Sequence, residues 1–254
     1  MNIKILVAAH KKYWFPDDDV YMPLHVGKKG KESFGLPGDD TGDNISEKNI
    51  YYSELTGLYW AWKNLKCDYL GLCHYRRYFG HKSFFGDIEK RKTQILKRED
   101  YERLLQNADV ILPKIRNYYI ETVRDQYIHA HSERDLAETR RIIEEIYPEF
   151  LPAFDKVMAR KKVHILNMFV MPKNLADEYL AWLFDILFRY ENWMDENGLK
   201  DEKFRLYGFI SERLLDVWIE TKKLRTVEAD VVMLEKVNWI KKGGAFLKRK
   251  FFGK

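Results

Sequence analysis

Asp68-Tyr69-Leu70-Gly71-Leu72-Cys73-His74-Tyr75-Arg76-Arg77-Tyr78-Phe79 is the stretch on which the fold turns. Tyr69 to Cys73 is an apolar run of strand length, and it opens without a spacer into a histidine, two arginines and three more aromatics. A short apolar run bounded in this way reads as a strand buried on both faces of a sheet. Open α/β sheets place ligands at the carboxyl ends of such strands, so the polar residues that follow are candidate site residues.

Upstream, Tyr52 to Leu65 (YSELTGLYWAWKNL) has helical periodicity, with Leu55, Leu58, Tyr59 and Trp62 on one side and Glu54 one turn before Leu58. Asn44-Ile45-Ser46 leads into this region and suggests a cap from Asn44 or Ser46. Earlier still, Ile3 to Ala9 reads as a buried strand from which His10-Lys11-Lys12 emerges. Between them, residues 13–45 hold Pro16, Pro23, Pro37 and five glycines, which predicts a long irregular region.

Downstream, the pattern predicts helices around 98–107 and 133–146, with a strand at Asp109 to Leu112 between them and Pro148 and Pro152 closing the second helix. Val163 to Met171 reads as a strand, 175–194 and Tyr207 to Trp218 as helices, and Val227 to Leu234 as a final strand. Strands alternating with helices define an α/β fold: a central, mostly parallel or mixed sheet flanked by helices. One domain over 1–240 is the simplest division, with 115–160 as a helical insertion and 241–254 as a tail.

With 254 residues, 46% hydrophobic and 15% aromatic, the chain can bury enough surface to offset the entropy of ordering it. Lys and Arg exceed Asp and Glu by 44 to 39, a net +5 that permits anionic partners. No nucleic-acid motif accompanies that charge, so nucleic acid is not expected as a partner. Cys67 and Cys73 have no matching His/Cys cluster and read as small hydrophobes. The first residues lack a secretory pattern, and no run reaches the roughly 18 to 20 apolar residues of a membrane span, which suggests a cytoplasmic chain. Lysines alternate with Ala245, Phe246, Leu247, Phe251 and Phe252 in the tail, which suits either an anionic membrane surface or a solubilising end.

His74, Arg76 and Arg77 present an imidazole and two guanidinium forks, groups that hold phosphate or diphosphate oxygens, with Tyr75 and Tyr78 as stacking surfaces. An arginine pair that merely caps the sheet is the plainer alternative. Ala8, Ala9, His10 and Lys11 suit the approach of a base, ribose or phosphate. The dinucleotide G-x-G-x-x-G and the P-loop G-x-x-x-x-G-K-S/T are absent, which argues against a Rossmann dehydrogenase and a nucleoside triphosphatase. Asp43, Asn44 and Glu54 gather polar groups at the helix entrance. His129 and His131, spaced i,i+2, do not share a helical face. Glu54, Asp201 and Glu212 are candidate general bases, each with a solvated or ion-paired alternative.

Asp43-Asn44-Ile45-Ser46, Glu54 to Asn64 (ELTGLYWAWKN), Gly71 to Phe79 (GLCHYRRYF), His164 to Phe169 (HILNMF) and Tyr207 to Arg213 (YGFISER) together resemble one bacterial family. It is the domain of unknown function numbered 4422, found among capsular and exopolysaccharide glycosyltransferases, and the resemblance covers about residues 3–235. It implies a GT-A-like fold and transfer of a hexosyl group, in some members galactose or galactofuranose, from a nucleotide-sugar donor to a lipid-linked or oligosaccharide acceptor. Related GT-A enzymes commonly hold Mn or Mg with an Asp-x-Asp motif, whereas the matching neighbourhood here reads His74-Tyr75-Arg76-Arg77. The resemblance therefore suggests cationic neutralisation of a UDP-type leaving group, with a metal-dependent variant through Asp43 still open. It also implies His74, Arg76, Arg77 and Glu212 as catalytic, Ala8, Ala9, His10, Lys11, Asp43 and Asn44 on the nucleotide side, and Glu54, Tyr75, His164, Asn167 and Tyr207 as substrate-binding. A non-catalytic carbohydrate-binding or assembly protein is the alternative.

Overall fold

The computed structural model of the protein describes residues 1–82 and 86–235. In chain order its strands are β1 (Ile3–Ala9), β2 (Tyr21–His25), β3 (Tyr69–His74), β4 (Arg77–Gly80), β5 (Val110–Pro113), β6 (Arg116–Asn117), β7 (Lys162–Val163), β8 (Phe169–Pro172) and β9 (Thr226–Met233). The helices are α1 (Asn49–Tyr52), α2 (Leu55–Asn64), α3 (Ile88–Lys92), α4 (Arg98–Leu105), α5 (Val123–Ile128), α6 (Glu133–Ile146), α7 (Leu151–Ala159), α8 (Lys173–Glu196) and α9 (Leu206–Lys222).

β1 is flanked by two parallel partners, β2 with Ala9 opposite His25 and β3 with Ala8 opposite His74. β3 continues antiparallel into β8, β8 into β5, and β5 lies parallel to β9. β9 then pairs antiparallel with β4, which turns back onto β3 at the His74–Arg77 pair and so closes a circuit of five strands. The sheet is mixed, as expected. Alternation along β1 sends Ile3, Ile5, Val7 and Ala9 to one core and Leu6 and Ala8 to the other. The larger core lies under α2 and α5–α9; the smaller is built around Tyr21, Tyr78, Phe79 and Tyr101. Val123, Tyr127, Leu136, Ile143 and Phe154, from the 115–160 segment, share the larger core with the sheet and α8.

Two expectations are corrected. The irregular region 13–45 contains β2, an edge strand paired only with β1 in the main sheet; there Pro23 lacks an N–H without breaking a central ladder. The second predicted helix ends at Ile146, ahead of Pro148, and Pro148 and Pro152 each sit in the first turn of a further helical segment, where a missing N–H has no partner to lose. Val163 to Met171 is not one strand. β7 and β8 are separated by a turn in which Leu166 (φ 82°) and Asn167 (φ 54°) are left-handed. Among the described residues no helix is long and apolar enough to cross a membrane. The tail 241–254 and the end of the expected 1–240 domain lie outside the described residues.

Candidate functional site

β1 lies between β2 and β3, so the chain leaves its two neighbours in opposite directions and a crevice opens at their carboxyl ends. There the structure has a cleft of about 810 Å³. Four stretches distant in sequence form its walls: Ala8 and His10 at the end of β1, Val26 to Lys31 after β2, Ser46 to Glu54 before α2, and His74 to Arg77 where β3 turns into β4. Phe204 and Arg205 close it from the start of α9.

The loop after β2 is held by a buried carboxylate. Asp39 accepts from the Gly27 amide at 2.8 Å, the Lys28 amide at 3.0 Å and the Ser46 hydroxyl. Ser46 Oγ in turn accepts from the Lys29 amide at 3.0 Å, tying the lysine loop to the segment before α2. Gly27 has φ +65° and would place a Cβ 2.4 Å from Asn49 Cγ, so only glycine fits there. Across the cleft, left-handed Ser53 (φ 53°) separates α1 from α2 and sets Glu54 at the start of α2. Asn49 Nδ2 donates to the Ser53 carbonyl at 2.7 Å and fixes the break.

In the β3–β4 turn, His74 Nε2–H donates to the Leu166 carbonyl at 2.6 Å, and burial lowers the imidazole's pKa. The Arg76 guanidinium lies 4.6 Å from the Tyr75 ring centroid and pairs with Glu235. Tyr75 is clasped edge-to-face by His10 and Tyr13, both at 5.1 Å. Burial, then Arg76, lowers the Arg77 pKa against the opposing pull of Glu54 and Glu212. His10 is lowered by burial and by the charges of Arg76, Lys11, Lys31 and Arg205.

Of the expected site residues, the cleft gathers Ala8, His10, Glu54, His74, Tyr75, Arg76 and Arg77. The others fall outside its lining, each for a visible reason. Ala9 is wholly buried, with its carbonyl accepting from Val26 N at 2.9 Å, and Lys11 is exposed beyond Tyr75. Asp43 accepts from the Tyr59 hydroxyl at 3.2 Å, and Asn44 folds its own loop by accepting from Ser46 N at 3.2 Å. Neither Asn44 nor Ser46 is an N-cap: Ile45 holds that position before the 3-10 turn Ser46–Lys48, Lys48 before α1 and Glu54 before α2. Tyr207 is a core residue packed 4.4 Å from the Tyr52 ring, and His164 lies between Asp216 and Glu228. Glu212 sits behind the cleft: Oε1 accepts from Leu166 N at 3.1 Å and Oε2 from Arg213 at 2.7 Å, and burial raises its pKa. Asn167 is buried too, yet it reaches Glu54. His131 packs against Phe209 with ring centroids 4.3 Å apart and is pushed down to about 4 by burial, and Asp201 is exposed on a short 3-10 turn.

Lys29, Lys31 and Arg205 are lining residues that sequence reasoning missed. The run Gly27-Lys28-Lys29-Gly30-Lys31 was a signal for the first two, since a glycine-punctuated basic loop can approach an anion closely. Nothing near Arg205 in the chain marks it.

Five Lys and Arg side chains therefore face two carboxylates, Glu47 and Glu54, in one cleft. Among the described residues no three His, Cys, Asp or Glu side chains converge as ligands of a metal ion. With five cationic side chains in its lining, the donor set suits an anion.

The fold and site define an α/β protein with a crevice lined by cationic side chains at the carboxyl ends of a mixed sheet's strands. The chain belongs to the family described as Domain of unknown function (DUF4422), whose model matches residues 4–223. It is similar to a solved structure described as the WbbM bifunctional glycosyltransferase in its apo form, with 31% identity and a TM-score of 0.80. The similarity covers 93% of this chain and 46% of that one, so the chain spans about half the length of that protein. No curated protein matches it.

Proposed function

We propose that the chain is a glycosyltransferase that moves a hexosyl group, galactose or galactofuranose, from a UDP-linked donor to a hydroxyl of a growing surface-polysaccharide acceptor. The observation that supports this reading is the cation-lined cleft at the carboxyl edge of the sheet, in a chain similar to a glycosyltransferase structure over most of its length. Charge accumulates on the leaving diphosphate as the glycosidic bond breaks, so fixed guanidinium groups there stabilise the transition state more than the bound donor. Arg76 and Arg77 have that role in the proposal, with Lys29, Lys31 and Arg205 closing around the phosphates. His74, hydrogen-bonded through Nε2, holds the β3–β4 turn in place. The proposed stabilisation is carried by these arginine and lysine cations, and no step of it passes through a metal ion.

The acceptor is an oligosaccharide, lipid-linked in the cell, and the chain works in the cytoplasm at the inner face of the membrane, to which the tail 241–254 would hold it. Intact-protein mass spectrometry with UDP, GDP, CMP and their sugar conjugates, with and without EDTA, tests the reading. Selective UDP binding that survives EDTA is the expected result. Absence of nucleotide binding in every condition refutes it. The alternative of a non-catalytic carbohydrate-binding protein is separated by acceptor-dependent release of UDP, which only a transferase produces.

A further inference from the structure

We propose that Glu54 is the general base of the transfer and that Asn167 is the residue that positions it; the inference rests on the glycosyltransferase reading above. Two carboxylates line the cleft, and they differ in how they are held. Glu47 is exposed on a short 3-10 turn, and its carboxylate has no hydrogen-bond partner among the described residues. Glu54 is half-buried, and its Oε1 accepts from Asn167 Nδ2 at 2.6 Å. Its Oε2 accepts no hydrogen bond among the described residues, so one oxygen is anchored and the other is available to a substrate hydroxyl.

The anchor is itself fully engaged. Asn167 Nδ2 also donates to the Gly208 carbonyl at 3.1 Å, and Oδ1 accepts from the Ser211 hydroxyl at 2.8 Å. Asparagine tolerates its left-handed backbone (φ 54°) at little cost, and left-handed Leu166 (φ 82°) precedes it. That turn also binds His74 through the Leu166 carbonyl and Glu212 through the Leu166 amide, so one strained element sets three ionisable groups. Strain held by surrounding hydrogen bonds concentrates where geometry must be kept for chemistry. The charged and titratable groups facing Glu54 are His74 from β3, Arg77 from β4 and Glu212 from α9.

In the step, the acceptor oxygen bonds to the anomeric carbon while the bond from that carbon to the diphosphate oxygen breaks. Its electron pair leaves with the diphosphate, and the hydroxyl proton passes to Glu54 Oε2. A single displacement of this kind inverts the anomeric configuration.

The test uses the full chain, UDP for binding, and UDP-galactose and UDP-galactofuranose for turnover, with water or octyl galactoside as acceptor. Glu54→Gln keeps an oxygen for Asn167 and removes the basic one. The expected result is UDP affinity within about twofold of wild type, release of UDP slowed by about 10²- to 10⁴-fold, and a wild-type product of inverted configuration. Asn167→Asp sets a second carboxylate against Glu54 and is expected to lower kcat more than it raises KM. It should also move the acid limb of the pH–kcat profile to higher pH, which a merely structural role would not do. Turnover of Glu54→Gln within tenfold of wild type overturns the proposal and transfers the role to His10, whose imidazole also lines the cleft. A product of retained configuration overturns it as well. In both cases UDP still binds and the transferase reading stands, whereas a wild-type protein that binds no nucleotide removes both.

Discussion

His164 shows how a residue's chemistry follows its surroundings. Its Nδ1–H donates to Asp216 at 2.6 Å and its Nε2–H to Glu228 at 3.3 Å, and Asp216 also takes the His164 amide at 2.9 Å and an ion pair from Arg160. Burial works against the imidazolium, but the hydrogen bonds and charges of Asp216 and Glu228 outweigh it and raise the pKa. A raised folded-state value means that the stabilisation is complete below about pH 6.5, the unfolded value, and is lost as pH rises through the folded one. Urea titrations should show wild type losing stability across that window, with the slope reduced in His164→Gln. Asp216→Asn, which leaves the buried partners uncompensated, should cost about 3 kcal/mol at pH 6. His10 and His74 have the opposite sign, with pKa values lowered by burial and, for His10, by neighbouring cations. An arriving diphosphate offsets that repulsion and raises them, so UDP binding should take up protons and weaken from pH 6 to 8. Calorimetry in buffers of different ionisation heat measures that uptake.

At the scale of elements, close approach governs the site's frame. Gly71, in the middle of β3, would place a Cβ 2.8 Å from the Phe169 carbonyl oxygen of β8, and Gly57 would place one 2.8 Å from Val26 Cγ1 where α2 meets the end of β2. Gly71→Ala must push two paired strands apart and should lower stability by about 2 kcal/mol, read as a fall in Tm. Gly27→Ala adds a left-handed backbone to a clash with Asn49. It should cost more than about 1 kcal/mol and weaken UDP binding, because the loop it sets carries Lys29 and Lys31. Elements with a full periodic signal were legible: β1, α6 and α8 lie where the pattern predicted them. β2 was hidden by a proline that an edge strand accommodates, and the β7–β8 break by an apolar sequence whose left-handed turn is imposed by hydrogen bonds to α9 and β3.

The charge of the cleft belongs to the whole molecule. Its cations come from the β2 loop, the β3–β4 turn and the start of α9, segments that the strand order 2-1-3 and the packing of α9 bring together. Arg205 is exposed, and its guanidinium lies 5.2 Å from the Phe209 ring, so its removal leaves the core intact. Arg205→Ala should weaken UDP binding about tenfold with Tm unchanged, the effect of one charge-assisted hydrogen bond. A cleft of this charge also predicts that UDP affinity falls steadily as salt is raised from low to physiological ionic strength, measurable by calorimetry. By itself the sequence determined the α/β class, the strand that opens into His74-Tyr75-Arg76-Arg77 and the family, because periodicity and contiguous motifs are local properties of a chain. Only the tertiary structure decided that Glu54 lines the cleft while Glu212, Tyr207 and His164 lie outside its lining, and that Lys29, Lys31 and Arg205 join the arginines. Those outcomes depend on which distant segments meet, and a one-dimensional pattern does not carry that information.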